Sequence, residues 1–138
     1  MDEYPQNMKI GEVAKQLGIS TRTIRYYEEV GLMGGNRQGP GSMRIYGKED
    51  VVRLKFILKL KELGISLKEI HEIAVNYELN NRATDKILPQ LIDVLDHHQV
   101  RIDFKIETLQ ALRRDINDYR KRIIDRIQQA DIAQASYV

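Results

Sequence analysis

The chain has 138 residues, 42% of them hydrophobic, which suits one ordinary domain with a buried core and excludes a disordered polymer. Its 22 Lys+Arg against 20 Asp+Glu leave a formal net charge of only +2, so overall charge singles out neither nucleic acid nor membrane as a partner. The absence of cysteine excludes disulfides, thiolate metal sites, iron–sulfur clusters and thiol redox sensing in this chain. No apolar run approaches the roughly 18 residues of a membrane span, and the acidic start MDEYPQ is not a signal-peptide n-region, so a soluble, cytoplasmic protein is expected.

In chain order, IGEVAKQL places Ile10, Val13, Ala14 and Leu17 on one face of a helix. Gly18 stops it, and Ser20 is a suitable N-cap for a second helix from about Thr21 to Val30, ended by Gly31. Residues 33–46, MGGNRQGPGSMRIY, hold four of the nine glycines and read as a loop returning through a short strand, MRIY: a hairpin-like flap carrying Arg37 and Arg44. A broadly apolar third helix is expected from about Lys48 to Leu63, before Gly64. Ser66 and Glu69 then form a capping box for a fourth helix, with Leu67, Ile70, Ile73, Ala74 and Tyr77 as its apolar positions.

After the polar link ELNNRATDK the chain changes character: from Leu88 to about Gln128 there is no glycine, and Pro89 sits at a tolerated first-turn position. With Leu88 as heptad position a, the a positions are Leu88, Leu95, Ile102, Leu109, Ile116 and Ile123, all apolar. The d positions, Leu91, His98, Lys105, Leu112, Tyr119 and Arg126, are half apolar. A helix of about 40 residues spans roughly 60 Å, too long to bury its stripe on a small domain. A second copy is the simplest partner, with Leu88, Leu91, Leu95, Ile102, Leu109, Leu112, Ile116, Tyr119 and Ile123 as the dimer interface. The expected layout is therefore a compact helical domain at 1–77, a linker at 78–87, a dimerisation coiled-coil helix at 88–128 and a tail at 129–138.

Helix, tight turn and second helix within so short a stretch form the helix-turn-helix pattern, whose second helix enters the major groove. On TRTIRYYEEV, Ile24, Tyr27 and Val30 lie toward a core, while Arg22, Arg25, Tyr26 and Glu29 share another face. Arginines grip phosphates or fork onto guanine, and a tyrosine hydroxyl donates to phosphate. An arginine beside a glutamate also suits a plain solvated face, so the helix alone leaves both readings open. Charge distribution adds weight: residues 20–61 carry nine basic side chains against four acids, whereas from residue 76 onward the count is ten against ten. Among the three histidines, His97 and His98 are adjacent and point about 100° apart, so they cannot chelate one ion from one face. His97 with Asp93 has ligand spacing but is more simply a surface pair, and no metal or cofactor is expected. No glycine-rich phosphate loop, nucleophilic cysteine or carboxylate cluster suggests an enzyme.

The stretches MKIGEVAKQLGISTRTIRYYEEVGL and RIYGKEDVVRLKFILKLKELGISLKEI closely resemble the N-terminal DNA-binding domain of the MerR family of bacterial transcription regulators, over residues 8 to about 75. The resemblance implies a mainly α fold, a winged helix-turn-helix followed by an antiparallel coiled coil, that binds a pseudo-palindromic promoter operator as a homodimer. It implies RNA polymerase as a further partner, because members bend and undertwist an overlong promoter spacer to repress or activate transcription. Position by position it places Thr21, Arg22, Thr23, Arg25, Tyr26 and Tyr27 on the recognition helix, Arg37, Arg44 and Tyr46 on the wing, and Lys61 at a basic position that meets the backbone in some members. Periodicity sets Tyr27 toward the core, so its side is undecided. The chain departs from the pattern at Gly34 and Gly35, where a proline is usual, at Met43, where an aromatic is usual, and at Gly47, where a Ser or Thr cap is common. Metal- and redox-sensing members carry cysteines at the far end of the dimerisation helix, where RIIDRIQQADIAQASYV has neither Cys nor His, so thiol-metal and thiol-redox sensing are not expected. No C-terminal ligand domain is expected; the effector is unknown, and either there is none or a small ligand binds between the fourth helix and the opposite subunit's coil. The alternatives are an architectural, excisionase-like DNA-bending protein and a coiled-coil protein-interaction adaptor.

Overall fold

The structure, a computed structural model, describes residues 7–33 and 45–136. Arg37, Arg44 and most of the expected flap lie outside the described residues. The chain forms two compact units, Met1–Leu95 and Asp96–Val138.

In the first unit α1 (Ile10–Leu17) and α2 (Thr21–Glu29) flank the turn Gly18–Ser20. Gly18 takes the left-handed conformation at φ 69°, and the Ile19 N–H reaches back to the Ala14 carbonyl at 3.0 Å, which closes α1. Ser20 opens α2: its Oγ accepts the Thr23 backbone N–H at 3.1 Å. After α2, Gly31 at φ 83° turns the chain so that Leu32 and Met33 enter the core, 1% and 2% exposed. A side chain is strained at Gly31 by the positive φ, and an added Cβ would lie 3.2 Å from Nε2 of the exposed His71, which would have to shift by a few tenths of an ångström.

Of the expected strand, Met43–Tyr46, only Ile45 and Tyr46 are among the described residues. Among the described residues the β pairing is one isolated antiparallel bridge, Met8 with Tyr46, with N–H···O distances of 2.9 and 2.7 Å. Helix α3 (Lys48–Glu62) follows, where the Asp50 carboxylate accepts the Gly47 N–H at 2.9 Å, so a glycine cap suffices. Val51, Leu54, Ile57 and Leu60 are its buried residues. Gly64 at φ 87° and the predicted Ser66–Glu69 capping box separate α3 from α4 (Leu67–Leu79): the Glu69 N–H donates to Ser66 Oγ at 3.1 Å, and the Ser66 N–H to Glu69 Oε1 at 3.4 Å.

A short 3₁₀ turn, Thr84–Lys86, leads into α5 (Leu88–Ser136). The helix runs past the Gln128 at which the heptad reading stops, because the residues beyond include Ala130, Ala133 and Ala135 and neither Gly nor Pro. About two turns of α5 belong to the first unit, where Leu91, Val94 and Leu95 pack half-buried against a core that includes Val13, Ile24, Tyr27, Leu54, Ile70, Ile73 and Ile87. In the single chain Leu91 and Leu95 give part of their apolar surface to their own protomer's core. Heptad spacing registers that a face is apolar and not which chain covers it.

The described residues of the second unit are α5 alone. Its a and d residues Ile102, Leu109, Leu112, Ile116, Tyr119 and Ile123 are all exposed, from 44% at Ile123 to 64% at Leu109. Among the described residues no helix is long and apolar enough to cross a membrane.

Candidate nucleic-acid interface

Helix α2 is held from behind. Ile24 is fully buried and Tyr27 is 7% exposed, with its phenol pushed above the ordinary value by burial first and by neighbouring Tyr26 second. The ring of Tyr27 therefore lies on the core side, which decides the position that periodicity and resemblance left split. A second fastening comes from Tyr46, whose hydroxyl donates to Glu28 Oε1 at 3.0 Å. Tyr46, expected on the wing, is fully buried in the single chain, and its side chain fastens the segment after the loop to α2. The reason is the bridge to Met8, which turns the Tyr46 ring inward while its neighbour Ile45 stays 60% exposed.

The other edge of α2 is open. Arg22 and Arg25 are exposed, as is Tyr26 at 45%, and Thr21 is half-buried beside them. Among the described residues neither arginine makes an ion pair. Thr23 is partly committed to the cap, its Oγ1 lying 2.9 Å from Ser20 Oγ. Two guanidinium groups and a phenol on one solvent-facing edge, on a helix fixed by Ile24, Tyr27 and Glu28, form a preorganised donor set for phosphates and base edges. Lys61 is exposed in the last turn of α3, where its charge also favours the helix C-terminus.

One residue that matters enters the sequence reading only as a positive charge. Arg53 of α3 donates from Nε to the Leu32 carbonyl at 2.7 Å and from Nη1 to Glu78 Oε1 at 2.7 Å, with its guanidinium 5.4 Å from the Tyr77 ring centre. It thus joins the exit of α2, α3 and the end of α4. Its Nη2 is buried with no hydrogen-bond partner among the described residues. A signal for this role is present in the sequence: Arg53, Ile57 and Leu60 are spaced 0, 4 and 7, on the buried face of α3.

The Arg53 hydrogen bond, with further help from Arg82, holds the Glu78 carboxyl below the usual carboxylate range against a smaller opposing push from burial. A carboxyl whose folded pKa is depressed stabilises the fold above its unfolded value of about 4.3, and that contribution disappears as pH falls through the lower folded value. The stability advantage of the wild type over Glu78→Gln, from urea midpoints, is expected to be level from pH 7 to about 5 and to shrink below about 4.3. An advantage that grows on acidification would show that Glu78 is not held by its arginines.

Among the described residues no group of three or more His, Cys, Asp or Glu side chains is placed to hold a metal ion. His97 and His98 have rings 6.5 Å apart, edge to face.

A tight helix-turn-helix with an open cationic edge on its second helix defines a nucleic-acid-binding class of protein. The sequence matches the MerR HTH family regulatory protein description over residues 8–76, and the MerR, DNA binding description over residues 51–119. It is 34% identical to the HTH-type transcriptional regulator YfmP of Bacillus subtilis, over 77% of this chain and 85% of that one. Its structure is similar to that of the transcription regulator PbrR691 from Ralstonia metallidurans CH34 in complex with lead(II), with 27% identity, a TM-score of 0.64, and 83% and 86% of the two chains covered. It shares the fold of HiNmlR, a MerR family regulator lacking the sensor domain and bound to promoter DNA, at 23% identity and a TM-score of 0.57, covering 83% and 91%. The chain belongs to the MerR family, a family of transcription regulators and not of enzymes.

The similarity to a regulator crystallised with lead(II) stands against the expectation of no thiol-metal sensing as far as metal signals in general are concerned. With no cysteine, this chain has no thiolate to offer a metal.

Proposed function

We propose that the protein binds a pseudo-palindromic promoter operator as a homodimer, with one α2 in the major groove at each half-site, and acts on RNA polymerase by distorting the DNA between them. The observation that carries this reading is the Arg22, Arg25 and Tyr26 edge: exposed, unpaired among the described residues, and rigidly backed. The promoter DNA in the HiNmlR complex supports the same use of the fold. The exposed apolar side of α5, with Ile102, Leu109, Leu112 and Ile116, supports a dimer. Phosphate contacts dominate the affinity in such a complex, and selectivity comes from the cost of deforming the sequence between the half-sites.

Salt provides the test. Affinity for duplexes that the protein selects from a randomised pool is expected to fall by about three orders of magnitude between 50 and 200 mM salt, as for a dimer making some six or more phosphate contacts. A binding constant indifferent to salt, or no selection of DNA at all, would leave the adaptor reading standing instead.

A further inference from the structure

Between α4 and α5 the backbone passes through two consecutive left-handed residues that are not glycine, Asn81 at φ 56° and Arg82 at φ 59°. Asparagine enters this region at modest cost, but for arginine the Cβ crowds the following carbonyl. Such residues persist where their surroundings over-determine them. Here the Arg82 N–H donates to the Tyr77 carbonyl at 2.8 Å and the Asn81 N–H to the Glu78 carbonyl at 3.3 Å. The Arg82 side chain donates from Nε to Glu78 Oε2 at 3.1 Å, while Arg53 holds the other oxygen of the same carboxylate. On the other side of the turn, Asn80 Nδ2 donates to Asn76 Oδ1 at 2.8 Å, and Asn76 Nδ2 donates to Gln90 Oε1 in the first turn of α5 at 2.9 Å. A turn in a costly conformation is thus held by side chains from α3, α4 and α5.

We propose that this clamped turn is a specificity device: it sets the direction in which α5 starts relative to α4, and thereby the separation of half-sites that the dimer accepts. The inference rests on the regulator reading above. Two recognition helices joined through a stiff helical connection meet DNA at a separation fixed by that connection and by the two turns that lead into it, and half-sites suit a dimer only at the matching spacing. A glycine turn has many directions of similar energy and tolerates several spacings. The left-handed arginine has a narrow well, and the Glu78 carboxylate between Arg53 and Arg82 narrows it further.

The test uses the full chain and a duplex selected by the wild type from a randomised pool, then lengthened or shortened by one and two base pairs between its half-sites. The wild type is expected to lose about tenfold or more in affinity per base pair. Asn81→Gly/Arg82→Gly is expected to bind the parent duplex within about threefold of the wild type, but to lose less than about threefold per base pair, because its turn adapts. Glu78→Gln keeps both turn residues and weakens the clamp, so its spacing penalty is expected to fall between the two; it carries the test if circular dichroism finds the glycine variant unfolded. A turn with a merely structural role would lower the urea midpoint in these variants and leave the spacing penalty unchanged, and that result would overturn the proposal. A wild type that selects no DNA overturns the regulator reading and this inference together.

Discussion

Arg25→Ala and Tyr26→Ala are each expected to weaken operator binding on the order of a hundredfold or more while leaving the fold and the dimer intact. A base or charged phosphate contact contributes about 1–3 kcal/mol, and a homodimer loses each contact twice, so a single substitution removes about 2–6 kcal/mol per complex. The fold should not notice: Arg25 is exposed, Tyr26 is 45% exposed, and the attachment of α2 runs through Ile24, Tyr27 and the Tyr46–Glu28 hydrogen bond. Fluorescence anisotropy with a selected duplex, beside urea unfolding of the same preparations, separates the two effects. Wild-type affinity in both variants would sink the assignment of this edge as the DNA-reading surface. Tyr27→Ala is the instructive contrast, since it empties a core site and its first effect should be on stability.

Leu109→Glu/Leu112→Glu is expected to convert the dimer to a monomer in sedimentation at micromolar concentration. Both residues are exposed in the single chain, at 64% and 52%, and sit at adjacent a and d positions in the middle of the stripe. In an antiparallel pair each substitution occurs twice, so four carboxylates would enter the seam, each losing hydration with no partner charge supplied. Val100→Glu is the matched control. Val100 is 66% exposed but lies two residues before Ile102, about 160° around the helix from the stripe, and its replacement is expected to leave the dimer unchanged. An unaltered dimer in the double variant would refute α5 as the interface. Loss of the dimer carries a second consequence, because one recognition helix alone meets one half-site and operator affinity should collapse with it.

The division of this chain into elements is legible in its amino-acid sequence. Ser66 with Glu69 declares a helix start, Gly18 and Gly64 declare helix ends, and the 0, 3, 4, 7 spacing of Ile10, Val13, Ala14 and Leu17 declares a buried face; each helix boundary they predict is found within a residue or so. Those signals are local: a cap joins groups three residues apart, and helical periodicity is a property of one segment. The open edge of α2 is legible for the same reason. The family is legible too, because its motifs run nearly without gaps from residue 8 to about 75, and the MerR HTH family regulatory protein description matches over residues 8–76.

What the tertiary structure alone decided is which chemistry each ambiguous side chain enters. Tyr27 and Tyr46 look like contact residues and are buried in the single chain; Arg53 looks like surface charge and ties three elements together; Leu91 and Leu95 look like dimer positions and also pack, partly buried, against their own protomer. Tyrosine, arginine and leucine each carry enough apolar surface to be buried and, for the first two, enough polarity to be exposed. Their side is therefore set by what lies opposite: the Leu32 carbonyl and Glu78 for Arg53, Met8 and Glu28 for Tyr46, and the core beneath α5 for Leu95. Those partners come from other parts of the chain, and only folding brings them within reach.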